Sequence, residues 1–151
     1  MTADRNAPDL GGVRVSLRPG VHPLLPFDRR ELTALCERML HLLAVSAIET
    51  EVLFLGDEEM SCLNRTHRHV PGPTNVLSFP LEESGLQQGL VALSVETLQR
   101  ESLLYGQDPS VHLIRLLAHA FLHLSGLDHS PEMDRLTEQT LSVLESEFLR
   151  R

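Results

Sequence analysis

His119, His123 and His129 are the residues of this chain whose types and spacing best fit a chemistry. They fall in the run His119-Ala120-Phe121-Leu122-His123-Leu124-Ser125-Gly126-Leu127-Asp128-His129. The first two are four residues apart, which puts both imidazoles on one face of a helix. Gly126 supplies the left-handed residue that ends a helix and turns the chain back. The third histidine can then swing round to the first two. Three neutral nitrogens meeting at one point, with a fourth position open, describe a catalytic zinc site. The chain has eight histidines in all. His22, His41, His67, His69 and His112 read as surface or hydrogen-bonded residues, although His67 and His69 flank a second motif.

The element that must hold the first two histidines is expected over Ser110 to Ser125. Leu113, Ile114, Leu116, Leu117, Phe121 and Leu122 surround it nearly all the way, so it should be a central, buried helix. Unpaired polar groups in a core are costly, and a metal would satisfy the pair. The rest of the chain reads as strands at Val13–Leu17, Glu51–Leu55, Val76–Phe79 and Leu90–Ser94, with the third stopped by Pro80 and a polar turn over Glu82–Gly89. Helices are expected from an Asp28 cap to about Ala44, from an Asp57 cap to near His67, up to about Tyr105, and from Pro131 to about Leu149. On the first of these, Leu32, Leu35, Cys36, Met39 and Leu43 form the inner face. The order of elements suggests an α+β fold: one small mixed four-stranded sheet with helices packed on it.

A chain of 151 residues, 42% hydrophobic, suggests one domain over 1–151. Met1 to Gly12 is polar, lacks the apolar stretch of a secretory signal and is expected to be flexible. No apolar run approaches a membrane span, so the expected location is the cytoplasm. Cys36 and Cys62 are too few for a disulfide scaffold and read as buried free thiols. Net charge is −8, and every one of the 13 Lys+Arg positions is arginine. An acidic protein is a poor non-specific binder of nucleic acid, so any action on RNA needs its arginines gathered locally. Arg65 and Arg68 are the densest cationic patch in the middle of the chain.

The histidine spacing also fits the long zinc signature of the metzincin peptidases. Those enzymes carry a general-base glutamate after the first histidine, where this chain has Ala120, which takes no proton. The second motif points elsewhere. Leu63-Asn64-Arg65-Thr66-His67-Arg68 leads into Pro73-Thr74-Asn75-Val76-Leu77-Ser78-Phe79-Pro80. With the histidine run that ends Gly126-Leu127-Asp128-His129, it closely resembles the YbeY family of bacterial endoribonucleases and rRNA maturation factors. The resemblance runs from about Glu51 to the last helix.

The resemblance implies that His119, His123 and His129 bind one zinc ion and that Arg68 is the functional arginine facing it. Arg68 and His119 are thus the expected catalytic residues. A guanidinium suits a phosphodiester, because its planar donors pair with phosphate oxygens and offset charge in the transition state. The implied function is zinc-dependent, single-strand cleavage in ribosomal RNA maturation and ribosome quality control, with the small subunit as partner. A metallopeptidase-like hydrolase, and a ribosome-associated protein whose zinc is mainly structural, stand as alternatives. The edge of the Val76–Phe79 strand could hold an extended substrate, with Asn75 and Ser78 as polar wall residues. Four positions depart from the family pattern. The glycine after the first histidine is Ala120, the tyrosine before Asp128 is Leu127, the tyrosine before Arg68 is His67, and an aspartate is Leu90. If that aspartate orients a ligand or the arginine, its loss weakens the site by about 10–100-fold.

Overall fold

A computed structural model describes residues 12–45, 48–83 and 86–149. Alternating apolar positions set the four strands β1 (Val13–Leu17), β2 (Glu49–Leu55), β3 (Val76–Glu83) and β4 (Leu86–Ser94), in the order β1-β2-β4-β3. The first three in that order run parallel, and β3 pairs antiparallel with β4 at the open edge. Helices α1 (Arg29–Leu42), α2 (Asp57–Arg68), α3 (Val95–Tyr105), α4 (Pro109–Leu124) and α5 (Pro131–Leu144) connect and cover them. This is the mixed α+β architecture that the element order suggests. No helix among the described residues is long and apolar enough to cross a membrane.

The period of two along each strand divides the sheet into two faces. Val52, Phe54, Val91 and Leu93 point into the main core with α1, α4 and α5. Leu53, Leu55, Leu77 and Ala92 point to the other face, where Met60 and Leu63 of α2 cover a smaller cluster. Leu113, Ile114, Leu117 and Phe121 of α4 are fully buried. At about 1.5–3 kcal/mol each, these four contribute roughly 6–12 kcal/mol. That is comparable with the whole net stability of a domain, so α4 cannot leave the core without unfolding it. The C-terminal end of α4 lies tight on β4: a Cβ at Gly89 would sit 2.7 Å from Leu124 Cδ1.

Local signals explain the helix starts. Asp28 and Glu31 form a reciprocal capping box at α1. Asp57 is the first residue of α2 rather than its cap, which is Gly56. Its carboxylate instead accepts from Ser94 Oγ and Thr97 Oγ1, both at 2.7 Å, and meets Arg100 at 2.6 Å. Glu96, in return, accepts from the Asp57 backbone N–H. Glu96 of α3 thus caps α2, while α3 is capped by its own Ser94, whose hydroxyl accepts from Thr97 N–H and donates to Asp57.

Several expectations are corrected. Pro80 does not stop β3, which runs to Glu83, and Glu82–Gly89 is largely hairpin strand rather than a polar turn. Proline is tolerated there because β3 is an edge strand, where an outward N–H has no ladder partner to lose. The α-helix of the last segment ends at Leu144, and Glu145–Leu149 continue as a wider π-turn. The buried face of α1 also includes Leu40, while Leu43, at its C-cap, is partly buried against the same core. Cys36 is buried, but Cys62 is exposed on α2. The expectation for Met1 to Gly12 falls outside the described residues except at Gly12, whose carbonyl accepts from Thr50 N–H at 3.0 Å.

Candidate active-site groove

An open groove of about 660 Å³ runs along the free edge of β3, between the histidine end of α4 and the C-terminal end of α2. Leu116, His119, Ala120 and His123 line it from α4. Their spacing of three, four and seven marks a single stripe on that helix. Past the helix end, Gly126 has φ +93°, the left-handed turn its position implied. Gly126 N–H donates to the His123 carbonyl and Leu127 N–H to the Leu122 carbonyl, at 3.0 and 3.1 Å. This paired closure of a helix C-terminus reverses the chain and returns His129 to the groove. Ring centres of His123 and His129 are 4.7 Å apart, and those of His119 and His129 are 6.2 Å apart.

The donor chemistry of the three rings can be read individually. His123 Nδ1 lies 3.0 Å from the Leu127 carbonyl oxygen. A carbonyl only accepts, so Nδ1 carries a proton, and in the neutral ring Nε2 presents a lone pair. His119 Nε2 is buried with no hydrogen-bond partner among the described residues. Leaving such an atom unmet costs about 1–3 kcal/mol, which points to a group from outside the chain. Burial pushes the His119 imidazole below its ordinary pKa. His129 and His123 add to that effect, and Asp134 and Glu138 partly oppose it. His119 is thus held neutral, the form that can ligate a metal.

Rings bound to one tetrahedral zinc through bonds of about 2.0–2.1 Å have centres roughly 5 Å apart. The observed separations bracket that value. Among the described residues, no three His, Cys, Asp or Glu side chains already enclose an ion position. The rings are gathered but not closed. Asp128 and the two cysteines do not line the groove. Burial also pushes the Cys36 thiol up to about 12, with Glu37 contributing, which makes it a poor ligand. A fourth protein ligand of the kind that closes a structural zinc site is therefore not in place.

The opposite wall carries Arg68, at the last turn of α2. It is exposed and forms no ion pair among the described residues, whereas Arg18, Arg38, Arg100 and Arg115 each meet a carboxylate. Arg65 is exposed one turn earlier and does not line the groove. Between the walls lie Thr74 to Pro80, so the β3 edge does pass beside the histidines. Both polar wall residues, Asn75 and Ser78, line the groove. Asn75 is also pinned: its Oδ1 accepts from Val76 N–H at 2.7 Å, and its Nδ2 donates to Glu101 at 3.0 Å. Glu101 meets His112 at 3.0 Å as well, so His112 is a satisfied buried histidine, as its isolation in the sequence suggested.

Leu90 lies on the face of the sheet that α2, the helix of Arg68, covers. It stands opposite Phe79 in register and packs on the small cluster beneath α2, across the sheet from α4. An acid there would lie on the arginine side of the sheet, away from the α4 histidines. One further contact is not encoded in any single segment: the His67 and Phe79 rings meet at 4.5 Å, and both line the groove. Only their shared aromatic character hinted at it.

Fold and groove together define a small α+β protein whose open sheet edge runs between three histidines and an arginine. Residues 25–151 match the family described as Endoribonuclease YbeY, and the chain belongs to that family. It is 36% identical over 147 residues to the Endoribonuclease YbeY of Oleidesulfovibrio alaskensis, covering 82% of this chain and 87% of that protein. To the protein of the same name from Lawsonia intracellularis it is 38% identical over 117 residues, covering 78% and 86%. The solution structure of TM1509 from Thermotoga maritima shares the fold, with a TM-score of 0.66 at 20% identity and 91% of each chain covered.

Proposed function

We propose that the protein is a zinc-dependent endoribonuclease that cleaves single-stranded RNA in the cytoplasm during ribosomal RNA maturation and quality control at the small subunit. One observation carries this reading. In a chain of net charge −8, no carboxylate among the described residues lines the groove, and the charged or chargeable side chains among them are Arg68 and four histidines. A polyanion can enter such a groove without meeting like charge. The same observation disfavours a peptidase, because the position of the peptidase base is Ala120 and no acid among the described groove residues replaces it.

His119, His123 and His129 would hold the ion. When bound, it supplies Lewis-acid polarisation of a phosphate oxygen and activation of a water. The chain's own residues do the rest. The Leu127 carbonyl fixes the tautomer and direction of His123. Arg68 pairs with non-bridging phosphate oxygens and offsets the charge that grows on them. The β3 edge keeps the strand extended. Cleavage of a single-stranded RNA and of casein should be compared on one preparation, with and without chelator, alongside elemental analysis. RNA cleavage that disappears with the metal is the expected result. Chelator-sensitive proteolysis with RNA left intact would overturn the reading.

A further inference from the structure

We propose that the His67–Phe79 ring pair is a nucleobase platform, on which RNA in the groove rests one base. This rests on the reading of the groove as an RNA site. The two rings lie 4.5 Å apart, tilted by 43°, and both line the groove. Phe79 is braced from behind: it packs on the cluster of Leu53, Leu77 and Ala92, with Leu90 opposite it in register. His67 is exposed, and its ring nitrogens make no hydrogen bond among the described residues. An aromatic surface fixed at one end and open at the other is what a base can stack on, and stacking tolerates any base because each has a π-face.

The placement beside Arg68 gives the pair its direction. Successive residues point about 100° apart around a helix. At the end of α2, the guanidinium of Arg68 and the ring of His67 therefore fan out in two directions, as the phosphate and base of one nucleotide do. RNA readers of unpaired strands combine the same two elements, a cation for the backbone and an aromatic face for the base. The Leu90 side chain then has a role of its own, since it keeps the seat of Phe79 apolar.

The test measures binding of a 2′-O-methyl single strand by fluorescence anisotropy, cross-checked by competition with unmodified RNA. An abasic nucleotide is moved along the strand one position at a time. In the unaltered protein, one position should lose affinity by about 5- to 100-fold, the scale of one base–aromatic stack. In Phe79→Leu, which keeps the seat apolar, and in the surface variant His67→Leu, the intact strand should already bind that much more weakly. The abasic substitution should then add little at that position. A residue that merely ties α2 to the sheet would not show this dependence on a missing base. Equal abasic penalties in the unaltered protein and both variants would overturn the platform and leave the RNA reading standing. Failure of the unaltered protein to bind the intact strand would overturn both.

Discussion

The two walls of the groove are built in different ways. The α4 wall is part of the core: its helix is buried nearly all round, its C-terminal carbonyls are met, and His123 is locked by the carbonyl that follows it. The α2 wall is a helix end in solvent, with Arg65, His67, Arg68 and His69 all exposed and His69 in the left-handed conformation at φ 58°. On the proposed reading, rigid placement belongs to the side that carries His119 and His123, with His129 exposed on the turn beyond the helix. Freedom belongs to the side that meets a long, variable ligand. A ligand set held by the core should resist movement but lose function sharply when one member goes. The exposed wall should tolerate substitution in the fold and register it in catalysis.

The largest effect should come from the rigid wall. His119→Ala and His123→Ala should lose bound zinc and drop RNA cleavage to background, while the metal-free protein keeps its melting temperature. Full zinc occupancy in both variants would break the comparison, since the core-held donors would then not be the ligands. Next comes the exposed wall. Arg68→Ala should keep zinc and thermal stability and lose cleavage by about 10²–10³-fold, the scale of removing one transition-state donor. Arg68→Lys should rescue poorly because it lacks the fork. Arg65→Ala, outside the groove, should fall by much less, and equal losses at 65 and 68 would argue for a diffuse field.

The joint between rigid helix and returning histidine is Gly126. Gly126→Ala places a side chain at φ +93°, a strain of about 1–2 kcal/mol. The melting temperature should fall by about 2–8 °C, and zinc affinity by about 10–100-fold as the Leu127 carbonyl shifts from His123. Gly126→Asn should recover much of both, because asparagine accepts this conformation. No change in zinc affinity would mean that His129 is placed by something other than this turn.

The smallest effect on catalysis is expected at the far end of α2. Burial raises the pKa of Asp57. The hydrogen bonds from Arg100, Thr97 and Ser94, with the Arg100 charge, together outweigh it and hold the carboxyl below its ordinary 3.8. A depressed carboxylate stabilises the fold above its unfolded value, and that contribution is lost as pH falls through the lower folded value. Thermal melts of the unaltered protein should therefore keep this contribution at pH 5–7 and lose it below about 3.8. Asp57→Ala should remove that acid-dependent part, lower the melting temperature at neutral pH and leave kcat unchanged. A fall in kcat would show that the helix pairing reaches the groove after all.

How much of this was legible in the chain depended on how local the signal was. The α4 histidines, the Gly126 turn and the Asp28 cap are each written within a few residues, and each is found where its spacing put it. The β3–β4 hairpin was misread because Pro80 and the polar run after it are turn signals in isolation. Only the position of β3 at the sheet edge makes them compatible with a strand. Asp57 reads as a cap because caps are defined locally, whereas its partners Ser94, Thr97 and Arg100 lie about forty residues on. The side of the sheet on which Leu90 falls, and the meeting of His67 with Phe79, depend on register between strands and helices. No single segment encodes that.

Pro80 has a consequence for how the protein keeps company with itself. A bare sheet edge is a template on which a second copy can add a strand, and β3 leaves such an edge beside the groove. Proline has no N–H to give and interrupts the row of donors that another strand would need in order to zip along the whole edge. A nucleic acid asks for no such ladder. The edge can thus stay open to RNA while remaining a poor seed for aggregation.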